Sequence, residues 1–200
     1  MDNKYKEVLD FWFGNYLKET EPNESKSKMW FIKDSETDKE IKKTFLDDVE
    51  SALNNLYDDW QNEPESSLAL IILLDQFTRN IFRDTPRAFD GDLKALEIAL
   101  KSIEKGFDKQ FYPVKRIFFY LPFEHSENLD IQKKSLELFD NLLEETPPNL
   151  KEKISNFKTY AQKHYDVIER FERFPHRNKI LNRESTNEEI EFLKTPNSSF

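Results

Sequence analysis

The sequence predicts an all-α protein, and three observations support this prediction. Apolar residues recur three or four positions apart through most of the 200-residue chain, which is the period of an amphipathic helix. No long stretch alternates polar and apolar residues as a half-buried strand would. Only three glycines are present. Because helices joined by short loops pack as antiparallel pairs, the fold is predicted to be either a helical bundle or a right-handed stack of helical hairpins.

The composition narrows the class of protein further. The length of 200 residues suits one domain, predicted to span 1–200. The chain has no cysteine, which fits a reducing compartment, and its first twenty residues lack the basic start and apolar run of a secretory signal. The longest apolar stretch, LALIILL at 68–74, is far shorter than the roughly 20 residues that cross a bilayer. We therefore expect a cytoplasmic protein with no membrane partner.

Three helices are predicted in the N-terminal part of the chain. The first ends at Gly14, because glycine is a frequent C-terminal stop. The second covers about 36–60 and counts Leu56 among its inward residues. The third begins at Pro64 and is apolar on most sides, which predicts a central position in the fold.

The fourth and fifth predicted helices both begin at a proline. Thr85 and Pro86 supply an N-cap and a first helical residue for the fourth, whose inward residues include Leu93. The fifth begins at Pro113, and Pro122 should bend it because proline has no amide hydrogen to donate.

Three further helices complete the prediction, which gives about eight in total. Two of them are marked by apolar residues spaced through 131–143 and 154–171. Thr186 with Glu189 offers a capping box for a short last helix that should end near Thr195.

Several common chemistries are excluded by the residues that are absent. Glycines occur only at positions 14, 91 and 106, so no glycine-rich phosphate or dinucleotide loop can be written. The chain has no cysteine and no G-x-S-x-G motif. Its three histidines do not have the spacing of a zinc or di-iron motif. The sequence therefore predicts no cofactor and no metal.

The third helix carries a polar cluster within a buried-looking segment. Its members are Asp75, Arg79, Asn80 and Arg83, several of which lie one turn apart. One interpretation is a polar end of a core helix whose groups are paired with each other. The other is a set of guanidinium donors that bind an anion.

A second polar cluster lies in the stretch RIFFYLPFEHSE at 116–127. The spacing places Arg116, Tyr120, Glu124 and Glu127 in one stripe of the helix. His125 falls on the apolar side instead, near the carbonyl group that Pro122 leaves without a partner. This position favours a core histidine bonded to the backbone over a catalytic one.

A third cluster, IERFERFPHRN at 168–178, interleaves basic and aromatic residues. Arg173, His176 and Arg177 could bind an anion, or they could offset the dipole of a helix C-terminus. Because the net charge is −9 and the basic patch is short, we do not expect general nucleic-acid binding.

The motifs LLDQFTRNIFRDTPRAFDGD, YPVKRIFFYLPFEHSE and RFERFPHRNKIL together resemble a bacterial family known as domain of unknown function 924. The resemblance extends over almost the whole chain. It implies an all-helical fold with antiparallel hairpins stacked in a right-handed, tetratricopeptide-like array, and it implies no established activity. Two residues depart from the family pattern, since Thr78 stands where proline is usual and Glu172 where glycine is usual.

Three functional hypotheses stay open at the level of the sequence. The first is a domain that binds a peptide or small anionic ligand through an Arg-rich concave face. The second is an enzyme that uses Glu124 or Glu127 with a histidine, His176 or His125, for general acid–base chemistry on an anionic substrate. The third is a structural adaptor. For the first hypothesis the predicted ligand-binding residues are Asp75, Arg79, Asn80, Arg83, Arg116, Tyr120, Arg173, His176 and Arg177.

Overall fold

The computed structural model describes residues 3–196 and 198, and within this part of the chain every regular element is helical. The predicted all-α class is confirmed. Counted with α4 and α5 as one continuous helix, the described residues form nine helices, close to the eight predicted. The helices are α1 (Lys4–Phe13), α2 (Glu24–Ser27), α3 (Ser35–Leu53), α4 (Pro64–Ile71), α5 (Thr78–Ile81), α6 (Asp92–Glu104), α7 (Pro113–Glu124), α8 (Leu129–Glu145), α9 (Lys151–Phe171) and α10 (Asn187–Phe192).

The residues cluster into two compact units. Unit 1 comprises Met1–Arg83 and Arg87–Pro122, and unit 2 comprises Asp84–Pro86 and Phe123–Phe200. Each unit is described by itself below. The single domain over 1–200 and the tetratricopeptide-like stacking both stay predictions.

In unit 1, α3 is shorter than the predicted second helix. The helix starts behind Asp34, whose side chain accepts a hydrogen bond from the Thr37 amide, and it ends at Leu53 instead of continuing to 60. Asn55 follows in the left-handed region with φ 65°, which asparagine tolerates better than most residues. Leu56 is consequently 73% exposed, so its predicted inward position is wrong.

The central helix of unit 1 is confirmed, and it contains a feature that the sequence does not reveal. Between α4 and α5 the backbone widens into a π-helical segment, Ile72–Phe77, and all six of its residues are buried. Gly91 packs directly on this segment. A Cβ atom at Gly91 would lie 2.1 Å from the carbonyl oxygen of Leu74, so only glycine allows this approach.

The fourth predicted helix begins later than expected. Pro86 starts a short 3₁₀ helix, and α6 begins only at Asp92. The buried face of α6 carries Ala95, Ile98, Ala99 and Ser102. Leu93 lies on the opposite side of the helix and is 80% exposed, so its predicted inward position is wrong.

Unit 2 is built on α8 and α9, which pack against each other. Asn128 caps α8, and the predicted capping box of Thr186 and Glu189 is present at α10. The last helix ends at Phe192, three residues before the predicted end. At the C-terminus of α9, Glu172 adopts the left-handed conformation with φ 58°.

Replacing Glu172 by glycine is expected to raise the free energy of unfolding by about 1 kcal/mol. The reason is that a side chain at φ 58° is strained, whereas glycine adopts this conformation freely. Urea unfolding measures the change. Glu172→Ala is the matched control, because it removes the charge and keeps the strain. Equal stabilisation by both variants would show that the charge, and not the backbone, is responsible.

Candidate functional site

In unit 1, Arg79 is surrounded by carboxylates. Its guanidinium donates two hydrogen bonds to Asp92, at 2.8 and 3.1 Å, and lies 3.2 Å from Oδ1 of Asp75. It also donates to the carbonyl oxygen of Asp75 in the π-helical segment, at 2.6 Å. The buried side chain of Asp75 accepts a further bond from Gln76. The neighbouring carboxylates hold the pKa of Arg79 above its usual value despite its burial.

Asn80 and Arg83 both contact the carboxylate of Asp38 in α3. Arg83 donates to both oxygens of Asp38, at 2.6 and 2.7 Å, and the Asn80 amide donates at 2.8 Å. The bidentate pair fixes α5 against the first turn of α3. The structure therefore brings the predicted residues of the third helix together, with carboxylates of unit 1 as their partners.

Arg116 and Tyr120 form a buried cluster with Asp108, a residue that the sequence did not single out. The Tyr120 hydroxyl donates to Asp108 Oδ2 at 2.7 Å, and Nη2 of Arg116 lies 3.5 Å from the same oxygen. Burial raises the pKa of Tyr120, and the Asp108 charge raises it further, so the phenol stays protonated. Arg116, Tyr120 and Asp108 therefore pair with one another in the interior of unit 1.

In unit 2, a carboxyl group and an imidazole meet in the interior. Oε2 of Glu124 lies 3.2 Å from Nδ1 of His164, and the two side chains are only 3% and 7% exposed. The same nitrogen lies 2.8 Å from the carbonyl oxygen of Tyr160, which can only accept, so Nδ1 carries the proton. His164 was not among the residues predicted for a site, although its spacing from Ala161 and Ile168 places it on the buried face of α9.

The other two histidines lie close to His164. The rings of His125 and His164 are 6.1 Å apart, and Phe174 lies 5.6 Å from both His164 and His176. The guanidinium of Arg177 covers the Phe174 ring at 4.5 Å and donates to the carbonyl oxygen of His125 at 3.0 Å. We call this set, made of His125, His164, His176 and Arg177, the histidine cluster.

The histidine cluster has an unfavourable environment for a further positive charge. Burial lowers the pKa of His164 to about 3, and the charges of His125, Arg177 and His176 contribute to this lowering. His164 is therefore neutral at neutral pH. His125 is partly exposed and so less buried than predicted, His176 is also partly exposed, and His164 is a buried histidine bonded to the backbone.

Glu127 is held in a structural contact of unit 2. Its carboxylate accepts two hydrogen bonds from Arg183, at 2.6 and 2.9 Å, and one from the Phe174 amide at 2.8 Å. Burial alone would raise the pKa of Glu127, but these donors hold it below its usual value. Such a carboxylate is a weak general base, because its charge is already stabilised.

Arg173 binds the capping residue of α10. Its guanidinium donates to both carboxylate oxygens of Glu189, at 2.6 and 2.8 Å. These bonds are the main reason that the pKa of Glu189 falls to about 2. Arg173 thus joins the C-terminal end of α9 to α10.

Neither a metal centre nor a membrane segment emerges from the described ranges. Over 3–196 and at 198, no three histidine, aspartate or glutamate side chains converge in a way that could hold a metal ion. Within the same residues, no helix combines the length and the apolar character needed to cross a bilayer.

The fold and the clusters define an all-α protein in which several polar residues form paired clusters within each of two units. The chain belongs to the family described as bacterial protein of unknown function (DUF924), whose model matches residues 8–197. The resemblance seen in the motifs is thereby confirmed.

One solved structure shows the same fold. This solved structure is that of the protein of unknown function ATU0120 from Agrobacterium tumefaciens, to which the chain is similar with 35% sequence identity and a TM-score of 0.82. The match covers 96% of this chain and 99% of the other. No curated protein matches the chain.

Proposed function

We propose that unit 2 binds a small anionic ligand at the histidine cluster. The observation that carries this proposal is the proximity of three imidazoles and one guanidinium. The His125 and His164 rings are 6.1 Å apart, and Phe174 lies 5.6 Å from His164 and from His176 and 4.5 Å from the Arg177 guanidinium. Imidazolium and guanidinium groups are the usual partners of phosphate and carboxylate groups. His176 and Arg177 belong to the ligand-binding set predicted from the sequence.

The electrostatics of the cluster support an anion more than a cation. The guanidinium of Arg177, which helps to lower the pKa of His164, would stabilise a negative charge placed beside it. His125 and His176 are partly exposed and supply the direct contacts, whereas Arg177 is buried and contributes its charge. Phe174 is fully buried and lies in contact distance of His164, His176 and Arg177.

The arginines predicted as ligand contacts outside the histidine cluster are less suited to bind an anion. Arg79, Arg83 and Arg173 each make two hydrogen bonds to one carboxylate, so an anion would have to compete with a bidentate partner. The general acid–base hypothesis is also weaker. Glu127 is held by Arg183, and an imidazole with a pKa of about 3, like that of His164, is a poor base near neutral pH.

Inorganic phosphate, citrate and short dicarboxylates are the probes for this site, tested by thermal shift and isothermal titration calorimetry. At least one should bind, and a ligand at 100 times its dissociation constant should stabilise the protein by about 2.7 kcal/mol. Replacing His125 or His176 by asparagine should weaken that binding about tenfold, because each removes one imidazole contact to the ligand.

Arg170→Ala provides the matched control for these variants. It removes an exposed cation of unit 2 that is paired with Glu188, outside the histidine cluster, and should leave the affinity unchanged. If no probe binds, or if the histidine variants bind as tightly as the unaltered protein, the proposal is wrong.

A further inference from the structure

A groove on unit 1 runs along the exposed face of α6. It has a volume of about 320 Å³ and lies between this helix and the segment 55–61. Lys94 spans the groove, donating to Asn55 and to Asp58 at 2.7 and 2.6 Å, and so fixes its two walls. The two most exposed large apolar side chains of the described residues, Leu56 and Leu93, lie in the same two segments.

An acidic and a basic side chain follow each other along this face of α6, so that two antiparallel copies of the face would pair opposite charges. Leu93, Glu97 and Lys101 follow at intervals of four residues and therefore form one stripe, and all three line the groove. Glu97 makes no ion pair in the described part of the chain, and Lys101 donates only to the amide oxygen of Gln61, at 3.3 Å. The exposed stripe therefore carries one carboxylate without an ion pair and one ammonium with a single long hydrogen bond, and an antiparallel copy of the stripe would complement both.

We propose that unit 1 uses this α6 stripe to form a two-fold dimer with a second copy of the chain. Two α6 helices that cross antiparallel near residue 99 place Glu97 of each copy against Lys101 of the other, which is the reciprocal pattern of a two-fold interface. In this register Leu93 of each copy lies opposite Lys105 of the other, so the contact is carried by the two Glu97–Lys101 pairs. A second copy gives both charges a partner on the same surface.

The size of the surface sets the strength of this dimer. One groove per copy and two ion pairs bury less than the roughly 800 Å² per partner of a standard stable interface. The dimer is therefore weak, and its population depends on the protein concentration. Sedimentation velocity over a concentration series on the full chain measures it directly, with a rise in weight-average mass toward twice 24.0 kDa expected at high concentration.

Charge reversal tests the register of the interface. Glu97→Lys and Lys101→Glu each place like charges opposite one another, and each should weaken self-association about tenfold or more. The double variant Glu97→Lys/Lys101→Glu should dimerise again. Mixing the two single variants should also restore a dimer, because every pair across that interface is then of opposite charge. Circular dichroism establishes that all variants are folded.

Ile32→Asp is the control, since Ile32 is 65% exposed in unit 1 but lies outside α6 and the groove. It should leave self-association unchanged. The proposal is overturned if the unaltered chain stays monomeric at every concentration, if the single reversals have no effect, or if neither the double variant nor the mixture restores the dimer. Loss of the dimer in Ile32→Asp would equally place the interface elsewhere.

Discussion

Replacing Gly91 by alanine is expected to lower the free energy of unfolding by about 3 kcal/mol or more. The new Cβ atom would lie 2.1 Å from the carbonyl oxygen of Leu74, which belongs to the backbone of the buried π-helical segment. A side chain could rotate away, but this backbone group is fixed inside the central helix. Urea unfolding followed by circular dichroism measures the loss as a lower midpoint.

Gly106→Ala is the matched control for this prediction. Gly106 has a φ of +68° and no heavy atom within 4 Å of its hypothetical Cβ, so only backbone strain opposes alanine there. We expect a cost of about 1 kcal/mol at Gly106. If Gly91→Ala costs no more than Gly106→Ala, the central helix can shift away from residue 91 and the close approach is not required.

Lowering the pH from 6.5 to 4.5 is expected to remove about 2 kcal/mol of stability through His164 alone. The pKa of this imidazole is 6.5 in its ordinary state and about 3 in the folded protein. Between these values the unfolded chain binds more protons, so the free energy of unfolding rises with pH and falls on acidification. The slope approaches 1.4 kcal/mol per pH unit well inside this interval.

The comparison with His164→Gln isolates this contribution. Glutamine does not titrate, so the variant should show a flatter dependence of stability on pH between 6.5 and 4.5. The carboxyl groups with lowered pKa, those of Asp34, Asp38, Glu127 and Glu189, have ordinary values of 4.5 or less and act mainly below this interval. Urea unfolding at several pH values provides the curves. Parallel curves for the two proteins would contradict the prediction.

The pairing of charged side chains was the part of the clusters that the sequence could not predict. Arg79 and Arg83 are recognisable as a polar group on one helix, but their main partners lie 13 and 45 residues away, at Asp92 and Asp38. Helical spacing places residues of the same element on one face and says nothing about which distant element packs there. Only the tertiary structure therefore distinguishes a paired interior cluster from an anion site.

The histidines of unit 2 illustrate the same limit. Their spacing along the chain indicates no local motif, and His125, His164 and His176 lie in or beside different elements. The sequence favoured His125 as the buried, backbone-bonded histidine. The structure gives this role to His164, because α9 directs that ring toward Glu124 and the Tyr160 carbonyl.

The sequence by itself determined the helical class and most helix positions, because the period of apolar residues and the capping residues are local properties. It did not determine where Leu56 and Leu93 would lie, although both fit an apolar pattern. α3 ends before Asn55, so Leu56 lies outside the helix, and the buried face of α6 carries Ala95 and Ile98, so Leu93 lies on the opposite, exposed side. Only tertiary packing decides which face of a helix is covered, because burial depends on the neighbours that the chain brings from elsewhere.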